Sequence, residues 1–340
     1  MKETTIDPVR RDRTWFERRN GCAILRMATA TIVGALLAAV VAVACGGPAA
    51  SDEPLAGSTP VDTPLYIDPH LEAIAAARKD PRFDPIAETP QAKWFTDWST
   101  SDTARQDVGD YLAGAAAAKA VPMLVLYRIP QRDCGRWSSG GAEDEREYKD
   151  WIKGVAAALK GHDNAMVVLE PDALPQLGRC KQGDRLGMLK FAVDQLSTTG
   201  ARVYIDIGNE KWLNADEAAK RLKMVGVNKV AGFSVNVAAH YTTDSEVRYA
   251  ESVRFELDKL GIPDAHFVVD VGRNGAGPQP DNCNPPDARL GQKPRLYRGG
   301  ALDGLLWIIN PGETDGACRG GPDKGFWAPA ALSLLGLEGP

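Results

Sequence analysis

Residues 166–172 read MVVLEPD: four apolar residues with no polar alternation, stopped by two acids around a proline. A strand with one wet face would alternate, so an unbroken apolar run this short belongs to a strand covered on both faces, the pattern of a parallel sheet under helices. The same grammar recurs along the chain. Residues 123–127 (MLVLY), 203–207 (VYIDI), 232–237 (GFSVNV), 266–271 (HFVVDV) and 305–309 (LLWII) are further short apolar runs. Amphipathic windows such as EYKDWIKGVAAALKG (147–161) and DRLGMLKFAVDQLSTTG (184–200) separate them. Strand and helix alternating about six times in one domain predict an α/β fold, specifically a closed or nearly closed parallel β/α barrel. An open dinucleotide-binding sheet would place a Gly-rich turn after its first strand, and no G-x-G-x-x-G occurs.

The 340 residues are 44% hydrophobic and 25% charged with a formal net charge of -5, an ordinary globular composition with no basic excess to attract nucleic acid. The N-terminus differs. Arginines at positions 10, 11, 13, 18, 19 and 26 precede the apolar run 27–44 (MATATIVGALLAAVVAVA), which reads as an export signal over residues 1–45. The run is long enough to span a bilayer, and it ends in Ala42-Val43-Ala44-Cys45-Gly46, which is similar to a lipobox. A retained anchor, lipidation of Cys45 and simple cleavage are all open, and each puts the protein outside the cytoplasm, with membrane contact only through this segment. Residues 46–64 are rich in Gly, Pro, Ser, Asp and Thr and read as a flexible linker, leaving 65–340 as one domain. Beyond Cys45 four cysteines remain, an even number suited to an oxidising compartment. Three pairings are possible, and the nearest-neighbour choice joins Cys134 to Cys180 and Cys283 to Cys318. No Cys-x-x-Cys occurs and His is scarce, so no metal site is expected.

Polar residues gather where the apolar runs stop. Arg132-Asp133-Cys134 follows the first, Glu170-Pro171-Asp172 ends the second, and Asp206 and Asn236 sit in the third and fourth. Arg273 follows the fifth, and Glu313 with Asp315 the last. In a parallel barrel those ends share one rim, the usual place for a catalytic site. A lone Asp at a strand end is commonly a helix cap; acids at so many ends of one rim describe an acid–base site. Crowded, partly buried carboxyls raise one another's pKa, which supplies the protonated member that glycosidic cleavage needs.

These residues also carry a family resemblance. Residues 127–134 (YRIPQRDC) are similar to the Tyr-x-x-Pro-x-Arg-Asp-Cys signature of glycoside hydrolase family 6, and 169–174 (LEPDAL) to its Glu-Pro-Asp block. Residues 205–208 (IDIG), 232–237 (GFSVNV), 270–275 (DVGRNG) and 307–316 (WIINPGETDG) resemble further blocks in the same order, so the resemblance runs from Leu65 to the C-terminus. It implies a distorted, TIM-like barrel and an inverting β-1,4-glucan hydrolase that needs no cofactor. Asp172 would be the general acid. Asp133 would raise its pKa and relay a proton through water, Asp315 would match the base, Asp206 would give electrostatic support, and Ser139 would hold the attacking water. Trp94 matches a sugar platform on the non-reducing side and Trp212 one on the leaving-group side, with Tyr127, Asn236, Arg273 and Glu313 as further substrate contacts. The resemblance also implies the nearest-neighbour disulfides.

Three positions depart from the family pattern: Ile309 replaces a sugar-binding lysine, Asn282 a stacking tryptophan and Asn209 a histidine. Lys211 is the nearby cation available to substitute. Two other readings follow from these departures, a hydrolase of a different envelope polysaccharide and a glycan-binding lipoprotein without catalysis. Family members that release cellobiose from chain ends carry long loops over the cleft, whereas the intervals 283–313 and after 318 are short here, so the resemblance implies an open cleft and internal cutting of a β-glucan. Oligomeric state leaves no mark on the sequence.

Overall fold

The computed structural model describes residues 56–337 except Trp137 and Gln182. The expected export segment and Cys45 lie outside the described residues. Among those described, no helix is long and apolar enough to cross a membrane.

The strands are β1 (Thr59–Val61), β2 (Lys93–Phe95), β3 (Met123–Leu126), β4 (Met166–Leu169), β5 (Arg202–Asp206), β6 (Gly232–Val235), β7 (His266–Asp270), β8 (Arg295–Arg298) and β9 (Leu302–Leu306). They form one nine-stranded sheet in the order β1-β8-β9-β7-β6-β5-β4-β3-β2. From β2 through β7 to β9 every pairing is parallel, whereas β8 runs antiparallel to both β9 and β1. The expected parallel barrel is therefore corrected to a curled, open, mixed sheet. Where a closed barrel would pair β2 with β9 there are only single contacts past the end of β9. Ala92 N–H donates to the Trp307 carbonyl at 3.0 Å, Trp94 Nε1 to that of Ile308 at 2.8 Å, and Asn310 Nδ2 to that of Ala92 at 3.0 Å.

The helices α1 (Glu72–Ala77), α2 (Asp84–Ala87), α3 (Ala104–Ala117), α4 (Glu145–Leu159), α5 (Arg185–Leu196), α6 (Ala215–Val225), α7 (Thr243–Lys259) and α8 (Ala328–Leu334) connect or flank the strands. Side-chain caps fix where several of them begin: Asp144 accepts from Glu147 N–H, Asp184 from Gly187, Asn214 from Glu217 and Thr242 from Ser245. Alternate strand residues divide between two buried clusters. Leu124, Leu126, Val167, Leu169, Phe233 and Phe267 join the helices outside. Met123, Val125, Tyr127, Val168, Tyr204 and Val268 fill the inside of the curl. Burial on both faces explains why the runs show no alternation.

The last expected strand is displaced, from 305–309 to Leu302–Leu306. Asp303 hides it: this buried acid sits mid-strand, accepting from Tyr204 Oη at 2.7 Å and paired with His266 Nδ1 at 3.0 Å and with Arg202. Beyond the strand, the amides of Ile308 and Ile309 turn to the Asp270 carboxylate, at 3.2 and 3.0 Å. Strand β1 falls inside the stretch read as linker; only strand pairing with β8 reveals it, since Thr-Pro-Val carries no apolar run. Both disulfides join nearest neighbours, Cys134–Cys180 and Cys283–Cys318.

Candidate active site

The rim is built from strained backbone. At the ends of β3, β4 and β6, Asp133 (φ 50°), Glu170 (48°), Asp172 (69°) and Asn236 (67°) all adopt the left-handed region. Such conformations cost about 1–3 kcal/mol each in a residue with a side chain, and tend to persist where they aim a functional group. Glu170 holds the first turn in place: its buried carboxylate accepts Arg128 N–H at 3.1 Å and Ile129 N–H at 3.0 Å. The turn at Asp172 points its own N–H into Asp206 Oδ1 at 2.9 Å.

Asp172 stands in a cluster of acids. Burial, then the neighbouring carboxyls of Asp206 and Asp133, push it well above the ordinary carboxylate range, against the pull of the Arg185 guanidinium. Asp206 is fully buried, accepting from Asp172 N–H, Gly208 N–H at 3.0 Å and Ser234 Oγ at 3.1 Å. Burial raises it to about 7 despite those bonds, with Asp270 adding repulsion. Asp133 projects from the next loop, its oxygens receiving Gln176 Nε2 at 2.9 Å and Ser138 N–H at 3.1 Å. This arrangement favours the protonated form of Asp172, which stands beside open space.

Across that space lies a second kind of carboxylate. Arg273 Nη1 reaches both oxygens of Asp315, at 2.7 and 2.8 Å, while Asn284 N–H donates to Oδ2 at 2.8 Å. Arg273 is itself fixed by donating to the Ala238 carbonyl at 2.7 Å. Behind the pair lies His240, buried and held down to about 4 by burial and then by Arg273, so its imidazole is neutral at working pH. Asp133, Asp172, Asp315, Arg273, Ser138 and Trp212 line one cleft of about 510 Å³, joined by Asn209 and Asn282. A carboxyl biased toward its protonated form, in one cleft with an Arg-paired carboxylate, is equipped to cut an acetal.

Residues 65–331 match the family described as glycosyl hydrolases family 6. The chain belongs to glycosyl hydrolase family 6. Among its family 6 relatives, Endoglucanase A of Cellulomonas fimi is 44% identical over 77% of this chain and 58% of its own length. Endoglucanase A of Thermobispora bispora is 36% identical over 86% of this chain and 64% of its own. The chain thus spans less than two thirds of the length of these two relatives. The family 6 endoglucanase Cel6 from Mycobacterium tuberculosis, solved with methyl-cellobiosyl-4-deoxy-4-thio-β-D-cellobioside, superposes with a TM-score of 0.74 at 39% identity. The match covers 80% of this chain and 96% of that one.

The fold brings Asp133, Asp172, Asp315, Arg273 and Trp212 of this family 6 chain to one cleft, with Asp206 directly beneath. Tyr127 is buried under the cleft, with the Arg132 guanidinium over its ring at 4.6 Å and Trp94 against its edge at 5.4 Å. Other expected positions fall elsewhere. Ser138 lines the cleft in place of Ser139, because Asp133 captures the Ser138 amide and leaves the Ser139 carbonyl to Arg132 at 3.1 Å. Asn236 is a scaffold residue: its amide donates to the carbonyls of Tyr241 and Asp270 at 3.0 and 2.9 Å, and its oxygen accepts Tyr241 N–H. Glu313 lies toward Glu72 of α1, raised to about 7 by burial and by that neighbour, and is not a wall of the cleft. Lys211 pairs with Glu210 at 3.4 Å and is not among the residues lining the cleft. Three supporting residues escaped sequence reading. Asp270 carried a signal, as the acid closing β7. Arg185, buried and bonded to the carbonyls of Pro130 and Gln131, and His240 carried none, because both act from behind the site.

Proposed function

We propose that the protein is an exported endo-acting glucanase that hydrolyses internal β-1,4 bonds of cellulose-like glucans with inversion. Asp172 delivers its proton to the glycosidic oxygen, and the Asp206 and Asp133 carboxyls keep that proton in place until the bond polarises. Asp315, oriented by Arg273 and Asn284, steers the attacking water on the opposite face and takes its proton on Oδ1, the oxygen with a single hydrogen bond. Asp133 and Ser138 border the path of that water. The gathering of Asp133, Asp172 and Asp206 with the Arg273-paired Asp315 at one cleft carries this reading. Internal cutting is supported by the endoglucanase relatives at 36–44% identity. The N-terminal segment would deliver the domain to the envelope, and fractionation of a Cys45→Ala variant tests lipidation.

The experiment is hydrolysis of carboxymethylcellulose and mixed-linkage β-glucan by wild type and Asp172→Asn, with the first-formed anomer read by NMR. Loss of a positioned proton donor is expected to lower kcat by about 10²- to 10⁴-fold while KM changes little. An α-anomer released first establishes inversion. A folded wild type that cleaves no glucan would refute the reading.

A further inference from the structure

A second hollow, of about 500 Å³, lies on the outer side of β2 between α3 and residues 66–70. It nearly equals the catalytic cleft in size, and hydrolysis at that cleft makes no use of it. Its floor is the Lys93 ammonium, bonded to the buried Asp68 carboxylate at 2.7 Å and lying 5.4 Å from the Tyr111 ring centroid. Burial would raise Asp68, but Lys93 and the His70 bonds outweigh it and hold it low. Asp107 and Asp110 line the α3 wall, and His70, bonded to Asp68 through Nδ1 at 2.9 Å, stands 84% exposed on the other. Gly114 leaves room at the back, where a Cβ would collide with Tyr66 Oη.

The decisive feature is Trp98 at the rim. A tryptophan 51% exposed ordinarily costs solubility, yet this one is rigidly mounted. Its Nε1 donates to the Trp94 carbonyl at 3.1 Å, and its ring rests on Phe95 at 5.4 Å and 32°. A fixed, half-bare indole beside carboxylates and an imidazole suits a sugar, whose apolar face stacks on the ring while its hydroxyls donate to the acids. Three aspartates against one already-paired lysine repel phosphates and nucleic acid. The same hydrogen bond ties the hollow to the cleft, because Trp94 meets Tyr127, which lies beside Asp133 and Asp172.

We propose that this hollow is a second β-glucan-binding site, with Trp98 as its stacking platform and Asp107, Asp110 and His70 as hydroxyl partners, which holds a polymer already threaded past Trp94. This rests on the glucanase reading for the identity of the polymer. The test uses the full chain carrying Asp172→Asn in native electrophoresis through gels containing mixed-linkage β-glucan, alone and with Trp98→Ala or Asp110→Lys added. Each added change is expected to weaken retardation about tenfold. In the active background, both should raise KM for the polymer while leaving cellotetraose turnover unchanged within about twofold. Retardation equal to the parent in both variants overturns the proposal. So does a parallel fall on cellotetraose and polymer, which would make Trp98 only a prop for Trp94. Retardation that depends on Trp98 in a protein whose wild type hydrolyses nothing would sustain the binding site and reject the glucanase reading instead.

Discussion

Asp172 illustrates how much one side chain depends on its neighbours. Its pKa is raised by burial and by two neighbouring carboxyls, and the stronger of these, Asp206, is anchored by the Asp172 amide itself. Removing that charge has a definite sign. Asp206→Asn keeps an oxygen for the Asp172 N–H but deletes the repulsion, so the pKa of Asp172 falls. The alkaline limb of kcat/KM, which follows loss of that proton, is then expected to move to lower pH, with the acidic limb nearly fixed. A pH–rate profile of the variant checks this, and an alkaline limb that stays put or moves upward would mean that Asp206 does not hold the proton on Asp172. The same residues show what sequence can reveal. Asp133, Asp172 and Asp315 are legible because the chemistry requires acids at strand ends. Which of the adjacent serines Ser138 and Ser139 lines the cleft is not legible, since it depends on an amide captured by Asp133. His240 and Arg185 are invisible, since their influence crosses space between elements far apart in the chain.

At the scale of elements, the loops that carry the acids are cross-linked where they leave the sheet. Cys134–Cys180 ties the β3 loop, next to Asp133, to the loop after β4, and Cys283–Cys318 joins the two segments that bear Asn284 and Asp315. The closed loops span sequence separations of 46 and 35, for which chain entropy alone gives roughly 4 kcal/mol each. Reduction is therefore expected to lower Tm sharply and to abolish activity before the helical signal is lost, since both links sit at the rim and not in the core. Calorimetry and circular dichroism, followed beside residual hydrolysis in increasing dithiothreitol, check the order of events. Legibility also varies by element. Strands buried on both faces announce themselves as apolar runs. The edge strands β1 and β2, three residues each, do not, and neither does β8 beside β1, whose two buried residues lie between exposed ends. The barrel expectation fails for that reason, because closure is decided by edge strands too short to leave a pattern. In β9, Asp303 breaks the run and moves the strand boundary.

For the whole molecule, the number of buried carboxyls sets the direction in which stability changes with pH. Burial raises Glu170, Asp206 and Glu313 to about 7 and Glu246 to about 8. A carboxyl whose folded pKa exceeds its unfolded value binds more protons in the native state. Its stabilising contribution is complete below the unfolded pKa, near 4, and is lost as pH rises through the folded one. His240 works in the opposite sense, since a folded pKa near 4 costs stability below about 6.5 and nothing above it. The carboxylates held low by partners, such as Asp68 and Glu147, act only at still lower pH. Between about pH 6.5 and 8.5 the four raised carboxyls therefore act alone among these groups, and all in one direction. The midpoint of thermal unfolding is expected to fall across that interval by several degrees, at about 2–4 °C per kcal/mol for a domain of this size. Glu246→Gln, which cannot ionise yet keeps an oxygen for the Glu210 amide, should flatten the upper part of the slope. A midpoint that is level or rising from pH 6.5 to 8.5 would mean that these acids are relieved by water or by movement of the loops.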